Sequence, residues 1–382
     1  MIFGGCAKRT TASIDATLPE LETELGDLAP RTVLTDAAQS TDPTPRARSL
    51  LYLIEVAELG DQEWAAKALH DDDPWVQRAG VTALTTRLHE TAAVKLLEGY
   101  VADAEADPYV RGAAGLRLAT AQSEDAAALL SAAWRNEPEL WRIAPLALAA
   151  AVLGDKDAIE PLGRALRRGE LALEVDFLLD LANSGQADLL PALREGSEWV
   201  ETELQLPYAV ALVALGDPSG EQALRKALAS DEEEERLEAL DYVSNLDHPT
   251  ATSLLKRAKT TGPHHVRTYA ALALASRLGD QADVFTSALA DEDPEIRALA
   301  VRCAAEATQS PTVSRKVERT TKGLVASALT DPDPSVRTEA MRAAVRLDLQ
   351  GEEAALNKNL RDQYESLRIE AAGALLLLAR AR

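Results

Sequence analysis

Side chains that could bind a metal are few and scattered in this sequence. The five histidines include one His-Glu pair, His89-Glu90, and one adjacent pair, His264-His265. Neighbouring residues on a helix point roughly 100° apart, so the adjacent pair is a poor chelate. The acidic run DEEEE at 231–235 stands at a predicted helix start, where the helix dipole favours acids without any ligand. We therefore predict that the chain holds no metal and no cofactor.

Short catalytic motifs are also missing. The sequence contains no GxxxxGK[ST] phosphate loop, no GxGxxG turn, no GxSxG nucleophile elbow, no HExxH and no EF-hand loop. Each of these places a nucleophile, a phosphate or a metal ligand at a spacing that its chemistry requires. The sequence therefore predicts a protein without catalytic residues.

The two cysteines, Cys6 and Cys303, are too few for a disulfide framework or a CxxC metal site. Cys303 lies in an apolar helical stretch, which is typical of a small buried residue. Cys6 follows MIFGG, which resembles the end of a bacterial lipoprotein signal, where the cysteine is lipidated. Only five residues precede it, too few for the basic and apolar regions of such a signal. We expect a cytoplasmic protein by default; the alternative is an envelope lipoprotein anchored through Cys6, which requires a signal upstream of Met1.

Charge excludes some classes of partner. The chain carries 62 acidic and 40 basic side chains, a formal net charge of −22. Such a charge repels a phosphate backbone, so we predict no nucleic-acid partner. No run of apolar residues is long enough to predict a transmembrane segment. The acidic surface instead favours solubility of an elongated protein.

One phrase recurs along the chain and indicates the elements that carry these residues. Asp-Pro-x-Val-Arg-x-x-Ala, or a close variant, begins at Asp73, Asp107, Asp293 and Asp333. Aspartate is a good helix N-cap, and proline is favoured at the first helical position. Apolar residues make up 46% of the chain and aromatic residues only 4%, so the core must consist mainly of alanine, leucine and valine. The pattern predicts an all-α protein.

The helix ends recur as well. The sequence LGD has its glycine at 60, 154, 216 and 279, at intervals close to multiples of about 31 residues. Glycine ends one helix and the following aspartate caps the next. The unit is therefore a helical hairpin, which cannot bury its apolar faces alone and must stack on its neighbours. We predict about ten hairpins over residues 46–382, the last without its second helix, stacked into an extended right-handed α-solenoid; residues 1–45 are predicted to be a loosely ordered tether or cap.

The phrase resembles the HEAT repeat, in particular the short variety found in phycobilin lyases and many bacterial proteins. That resemblance implies an armadillo-like superhelix in which the arginine three places after the proline pairs with acids of adjacent turns. Positions that match are Arg111, Arg236, Arg267, Arg297, Arg337 and Arg368. The match fails at Gln77 and Trp141, where the arginine stands one place later, so those two units are not expected to join the ladder.

The resemblance implies a non-catalytic scaffold that binds another protein or peptide on its concave face. In HEAT-type solenoids the second helices line that face, so a basic stripe on the predicted second helices is the candidate partner-binding surface. It comprises Arg164, Arg167, Arg168, Arg225, Lys226, Lys256, Arg257 and Lys259. The alternative is a HEAT-type enzyme or chromophore lyase. Deoxyhypusine hydroxylase, an enzyme of that type, holds two irons through several His-Glu pairs, whereas this chain has one such pair.

Overall fold

The computed structural model describes residues 29–58, 62–121, 123, 125–168, 175–200, 202–279, 281–310 and 313–381. These residues form 22 α-helices and no strands, which confirms the all-α solenoid. The first half of the chain contains α1 Pro30–Ala37, α2 Pro43–Val56, α3 Glu63–Leu69, α4 Pro74–Thr85, α5 Thr91–Ala102, α6 Pro108–Ala121, α7 Ala126–Asn136, α8 Leu140–Val152, α9 Ile159–Arg168, α10 Val175–Asn183 and α11 Leu190–Ser197. The second half contains α12 Thr202–Ala214, α13 Pro218–Ala227, α14 Glu233–Asn245, α15 Pro249–Ala258, α16 His264–Leu278, α17 Ala282–Leu289, α18 Pro294–Ala307, α19 Arg315–Ala328, α20 Pro334–Arg346, α21 Glu353–Leu360 and α22 Glu365–Arg380.

The even-numbered helices α2 to α22 are the first helices of eleven successive units, ten hairpins and the single helix α22, close to the ten units expected. Their starts follow the predicted chemistry. Asp73, Asp293 and Asp333 each accept a hydrogen bond from the backbone N–H two residues on, at the start of α4, α18 and α20. Gly279 ends α16 in the left-handed conformation, with φ of 68°. None of the described helices is long and apolar enough to cross a bilayer.

The core is a continuous layer between first and second helices, and small side chains dominate it. One apolar cluster runs from Leu34 to Leu378, and a second surrounds Phe285 and Cys303. Cys303 is buried, as expected. Gly80 shows why small residues recur at its position, because a Cβ atom there would lie 2.8 Å from Cβ of Ala68 on α3. Close helix approach therefore depends on these residues.

A ladder of arginines joins successive hairpins along one edge of the solenoid. Arg297 donates to Asp331 of the next turn at 2.9 and 3.0 Å, and also to the backbone carbonyls of Asp291 and Glu292. Arg337 repeats the arrangement with Asp362 at 3.0 Å. Arg111, 2% exposed, pairs with Glu137 of the next turn. These contacts have the geometry that the resemblance implied.

The solenoid closes on itself. Helix α22 packs against α20 and α21 on one side and against α1 and α2, from the other end of the described chain, on its other side. Helix α1 occupies the position of the second helix that the last unit lacks, with Leu34 fully buried. The solenoid is therefore closed and not extended as predicted. The predicted boundary at residue 45 falls inside α2, while residues 1–28 lie outside the described part.

The first helices face the interior of this ring. Helix α10 contacts α6 although α8 lies between them in the chain, and the rings of Tyr109 and Phe177 meet edge to face with centroids 6.3 Å apart. Arg78 of α4 pairs with Asp176 at the start of α10. Such contacts between non-adjacent first helices can form only across the concave side. The expectation that second helices line that side is therefore wrong for the described residues; here they form the outer layer.

Candidate functional site

A cavity of about 730 Å³ lies where the two ends of the solenoid meet. Its walls come from the first helices α2, α4, α20 and α22, and the start of α10 contributes Asp176. The volume is within the range of about 300–1,000 Å³ that is usual for ligand pockets. The closure therefore creates a concave site that no single hairpin contains.

Much of the cavity wall is apolar. Leu51 and Ala47 of α2, Ala79 of α4 and Ile369 of α22 line it. Trp75, the second residue of α4, lies at the edge of the cavity with 60% of its surface exposed. An indole with so much free surface beside an apolar hollow is a typical anchor for a partner side chain.

A buried charged network holds the cavity's floor. Glu370 of α22 is 2% exposed and accepts hydrogen bonds from Arg48 Nε at 2.6 Å and Arg342 Nη2 at 2.7 Å. The Tyr52 hydroxyl donates to the same carboxylate, and the Arg48 guanidinium lies 4.8 Å from the Tyr52 ring centre. Burial opposes ionisation of Glu370, but the hydrogen bonds and charges of the two arginines outweigh it and lower its pKa. The network therefore contains an ionised carboxylate shared by helices from both ends of the chain.

The cavity's rim is acidic. Asp42 and Glu365 line it, and Asp42 also caps α2 by accepting the N–H of Thr44. Arg78 is already paired with Asp176. Because the arginines of the wall are engaged by carboxylates, the exposed Glu365 is the charge most available to a bound molecule.

The candidate metal-binding residues form no metal site in the part of the chain that the structure describes. Glu90 pairs with Arg87 at 2.8 Å in a buried contact. His265 lies between two carboxylates, with Nδ1 3.0 Å from Glu233 and Nε2 2.8 Å from Asp293, and the hydrogen bond with Glu233 raises its pKa. His264 contacts Asp291 at 2.9 Å. These histidines link the ends of neighbouring helices.

One family model matches part of the chain. Residues 282–376, from α17 to α22, match the family model for HEAT repeats. Residues 282–376 are therefore HEAT repeats. No curated protein matches the chain.

Two solved structures show weak similarity to the chain. Human deoxyhypusine hydroxylase in complex with glycerol is 18% identical, with a TM-score of 0.30, covering 85% of this chain and 99% of that one. The archaeal HEAT-like repeats protein from Thermococcus onnurineus NA1 is 15% identical, with a TM-score of 0.27, covering 67% of this chain and 97% of that one.

The basic residues singled out in the sequence do not form one stripe on the concave side of the HEAT repeats. Arg164 pairs with Glu160 of its own helix at 3.0 Å, and Arg167 is partly buried on the same helix. Lys226, Lys256 and Lys259 are exposed on the outer layer. The structure brings only Arg225 and Arg257 to a common cleft, together with Arg236. The side chain of Arg168 and the whole of Cys6 lie outside the described residues.

Proposed function

We propose that this protein is an interaction scaffold without chemistry of its own, which binds a segment of a partner polypeptide in the cavity where its ends meet. The observation that carries the proposal is the exposed indole of Trp75 beside a cavity of about 730 Å³ with a largely apolar wall. A rigid aromatic surface next to a preformed hollow gives affinity at low cost in conformational entropy.

The charges around the cavity favour a partner with a basic residue next to an apolar one. The apolar side chain would contact Leu51 and Ala79, which are partly exposed, and the basic group would lie over Trp75 and near Glu365. A cation over an indole face contributes about 0.5–2 kcal/mol, depending on its exposure. The net charge of −22 would attract such a partner at long range.

The cellular location belongs to the same proposal. We place the scaffold in the cytoplasm, and the alternative is a cell-envelope protein anchored through Cys6. Mass spectrometry of the protein from its native host distinguishes the two, because a lipidated Cys6 adds the mass of acyl chains.

Cavity variants test the proposal. Proteins captured from the native host by the wild type are compared with those captured by Trp75→Ala and by Ser366→Trp, which fills the cavity from α22. Trp199→Ala is the matched control, since Trp199 is 76% exposed and does not line the cavity. We expect one set of partners to be lost with both cavity variants and retained by the control, and a synthetic peptide of the bound segment to quench Trp75 fluorescence. Equal recovery from all four proteins would contradict the proposal.

A further inference from the structure

Three rungs of the arginine ladder share one register, which shows where the carboxylate of such a rung belongs. In the intact rungs Arg46 pairs with Asp71, Arg297 with Asp331 and Arg337 with Asp362. We call the residue three places after the proline position of each first helix its ladder position. Each of these aspartates stands six residues before the ladder position of the next first helix, which is Gln77, Arg337 or Arg368. Each also accepts a backbone N–H two residues further on, which fixes the carboxylate in the turn.

Some rungs lack an acid at this position, and one of them is the rung of Arg236. The next ladder position after Arg236 is Arg267, and six residues before Arg267 stands Thr261. The residue two places after Thr261 is Pro263, which has no N–H to offer a carboxylate. Arg236 still donates to the Ser230 carbonyl, as other ladder arginines do to their own turns, but no carboxylate pairs with it among the described residues.

A cleft of about 240 Å³ lies at this rung, between α13, α14 and α15. Three guanidinium groups line it, those of Arg225, Arg236 and Arg257, together with Thr261 and Gly262, and no acidic residue of the described chain lines it. Arg236 Nη1 lies 3.0 Å from the position that a Cβ atom of Gly262 would occupy, so the guanidinium is held against the turn that lacks the acid.

The charges in the cleft are only partly balanced. Arg225 pairs with Glu221 of its own helix, whereas the exposed Arg257 has no ion pair with a described residue. The rung of Arg368, which joins the two ends of the solenoid, differs from the rung of Arg236. Ser40 stands there in place of the acid, but the cleft beside it is lined by Asp36 and Glu365. In a chain of net charge −22, a cleft with three arginines and no lining acid is an exception.

We propose that this cleft binds an oxyanion, a carboxylate or phosphate group, that takes the place of the missing ladder carboxylate. Guanidinium groups donate pairs of parallel hydrogen bonds to such oxyanions. The ligand would bridge Arg225 of one repeat and Arg236 and Arg257 of the next, as Asp331 bridges two repeats elsewhere. The site lies at the edge of the solenoid that carries the ladder and shares no residue with the cavity beside Trp75.

The test restores the missing acid within the chain. Thr261→Asp places a carboxylate at the empty position, and Thr260→Asp is the control, since Thr260 is exposed and does not line the cleft. Thermal unfolding is followed with inorganic phosphate, with an acetylated tri-glutamate amide, and with the tri-glutamine amide. We expect an oxyanion to raise the Tm of the wild type and of Thr260→Asp but not of Thr261→Asp, which should already unfold at a higher temperature.

The two probes distinguish the source of the group. A response to phosphate indicates a free anion, and a response to the tri-glutamate but not to the tri-glutamine peptide indicates an acidic segment. Arg257→Gln should lower the affinity for whichever probe binds at least tenfold, as measured by calorimetric titration. It should not lower the Tm of the free protein, because the Arg257 side chain is exposed. An equal response of wild type and Thr261→Asp, or none in the wild type, would overturn the proposal. Trp75→Ala should leave the response unchanged, so failure here is distinct from failure of the cavity proposal.

Discussion

Two interfaces between first helices use different physics. Between α18 and α20 the charged pairs lie at the edges of the contact: Arg297–Asp331 belongs to the ladder, and Arg346–Glu306 is partly exposed. Between α22 and α2 a carboxylate lies inside the interface, where Glu370 meets Arg48 and Tyr52. The first interface follows a pattern that recurs along the row. The second occurs once among the described residues.

This difference shows what determines which helices of a repeat protein pair at the closure. The apolar surfaces of the repeats are similar to one another, so they drive stacking but do not determine which repeat packs against which. A buried carboxylate is costly unless its own donors are in place, so α22 is best satisfied by the helix that carries Arg48. The network therefore gives the closure its specificity, while α1 adds apolar area.

The largest effect is expected from removing the carboxylate of the closure. Glu370→Ala leaves Arg48, Arg342 and the buried Tyr52 hydroxyl without their common acceptor, which should lower the free energy of unfolding by about 3 kcal/mol. Asp331→Ala removes one partner of a ladder pair at a regular interface and should cost about 1 kcal/mol. Urea unfolding of both variants measures the difference. Equal losses would show that the closure is no different from other interfaces.

A smaller effect is expected from steric disruption at the same interface. A Cβ atom at Gly373 would lie 2.5 Å from carbon atoms of the Tyr52 ring. Gly373→Ala should therefore force the two helices apart and cost about 2 kcal/mol. Gly323→Ala is the control, because nothing lies within 4 Å of the corresponding Cβ position on α19. Its expected change is slightly stabilising, since alanine favours the helix. Matching melting temperatures for the two variants would argue against the contact between α22 and α2.

The smallest effect is expected from acid. The pKa of Glu370 is lowered in the folded protein, so its contribution is fully present above the ordinary glutamate pKa of about 4.3 and is lost as pH falls through the lowered value. Burial raises the pKa of Glu55 on α2, which acts in the opposite direction. Comparing the wild type with Glu370→Gln isolates the first group. The stability difference between them should be constant from pH 7 to pH 5 and should shrink below about pH 4. A difference that does not change with pH would contradict the ionised network.

The repeating part of the fold could be read from the sequence because its causes are local. N-cap aspartates, the left-handed Gly279 and the ladder arginines all act within one or two units, and a short phrase records them. The closure could not be read in this way. Helix α1 carries none of the repeated phrase, and its contact with α22 joins residues more than 300 positions apart.

The candidate site was missed for the same reason. Trp75 and Glu370 both lie in recurring phrases, but the cavity beside Trp75 and the burial of Glu370 arise from the closure. The basic residues were assigned to the concave side by resemblance, and the structure places their helices outside. One part of that prediction remains: Arg225 and Arg257 line the same cleft. The missing acid at Thr261 was a usable signal, because the ladder register can be counted in the sequence.

The distance between α2 and α22 tests the central claim most directly. Spin labels at Thr44→Cys and Glu365→Cys report this distance by pulsed electron paramagnetic resonance. The background carries Cys6→Ser and keeps Cys303, which is buried. Both labelled positions line the same cavity, so the closed solenoid predicts one narrow distribution at a distance comparable to the cavity's width. An open row of eleven first helices spaced about 9 Å apart would hold the labels roughly 90 Å from each other, and such a long distance would contradict the closure.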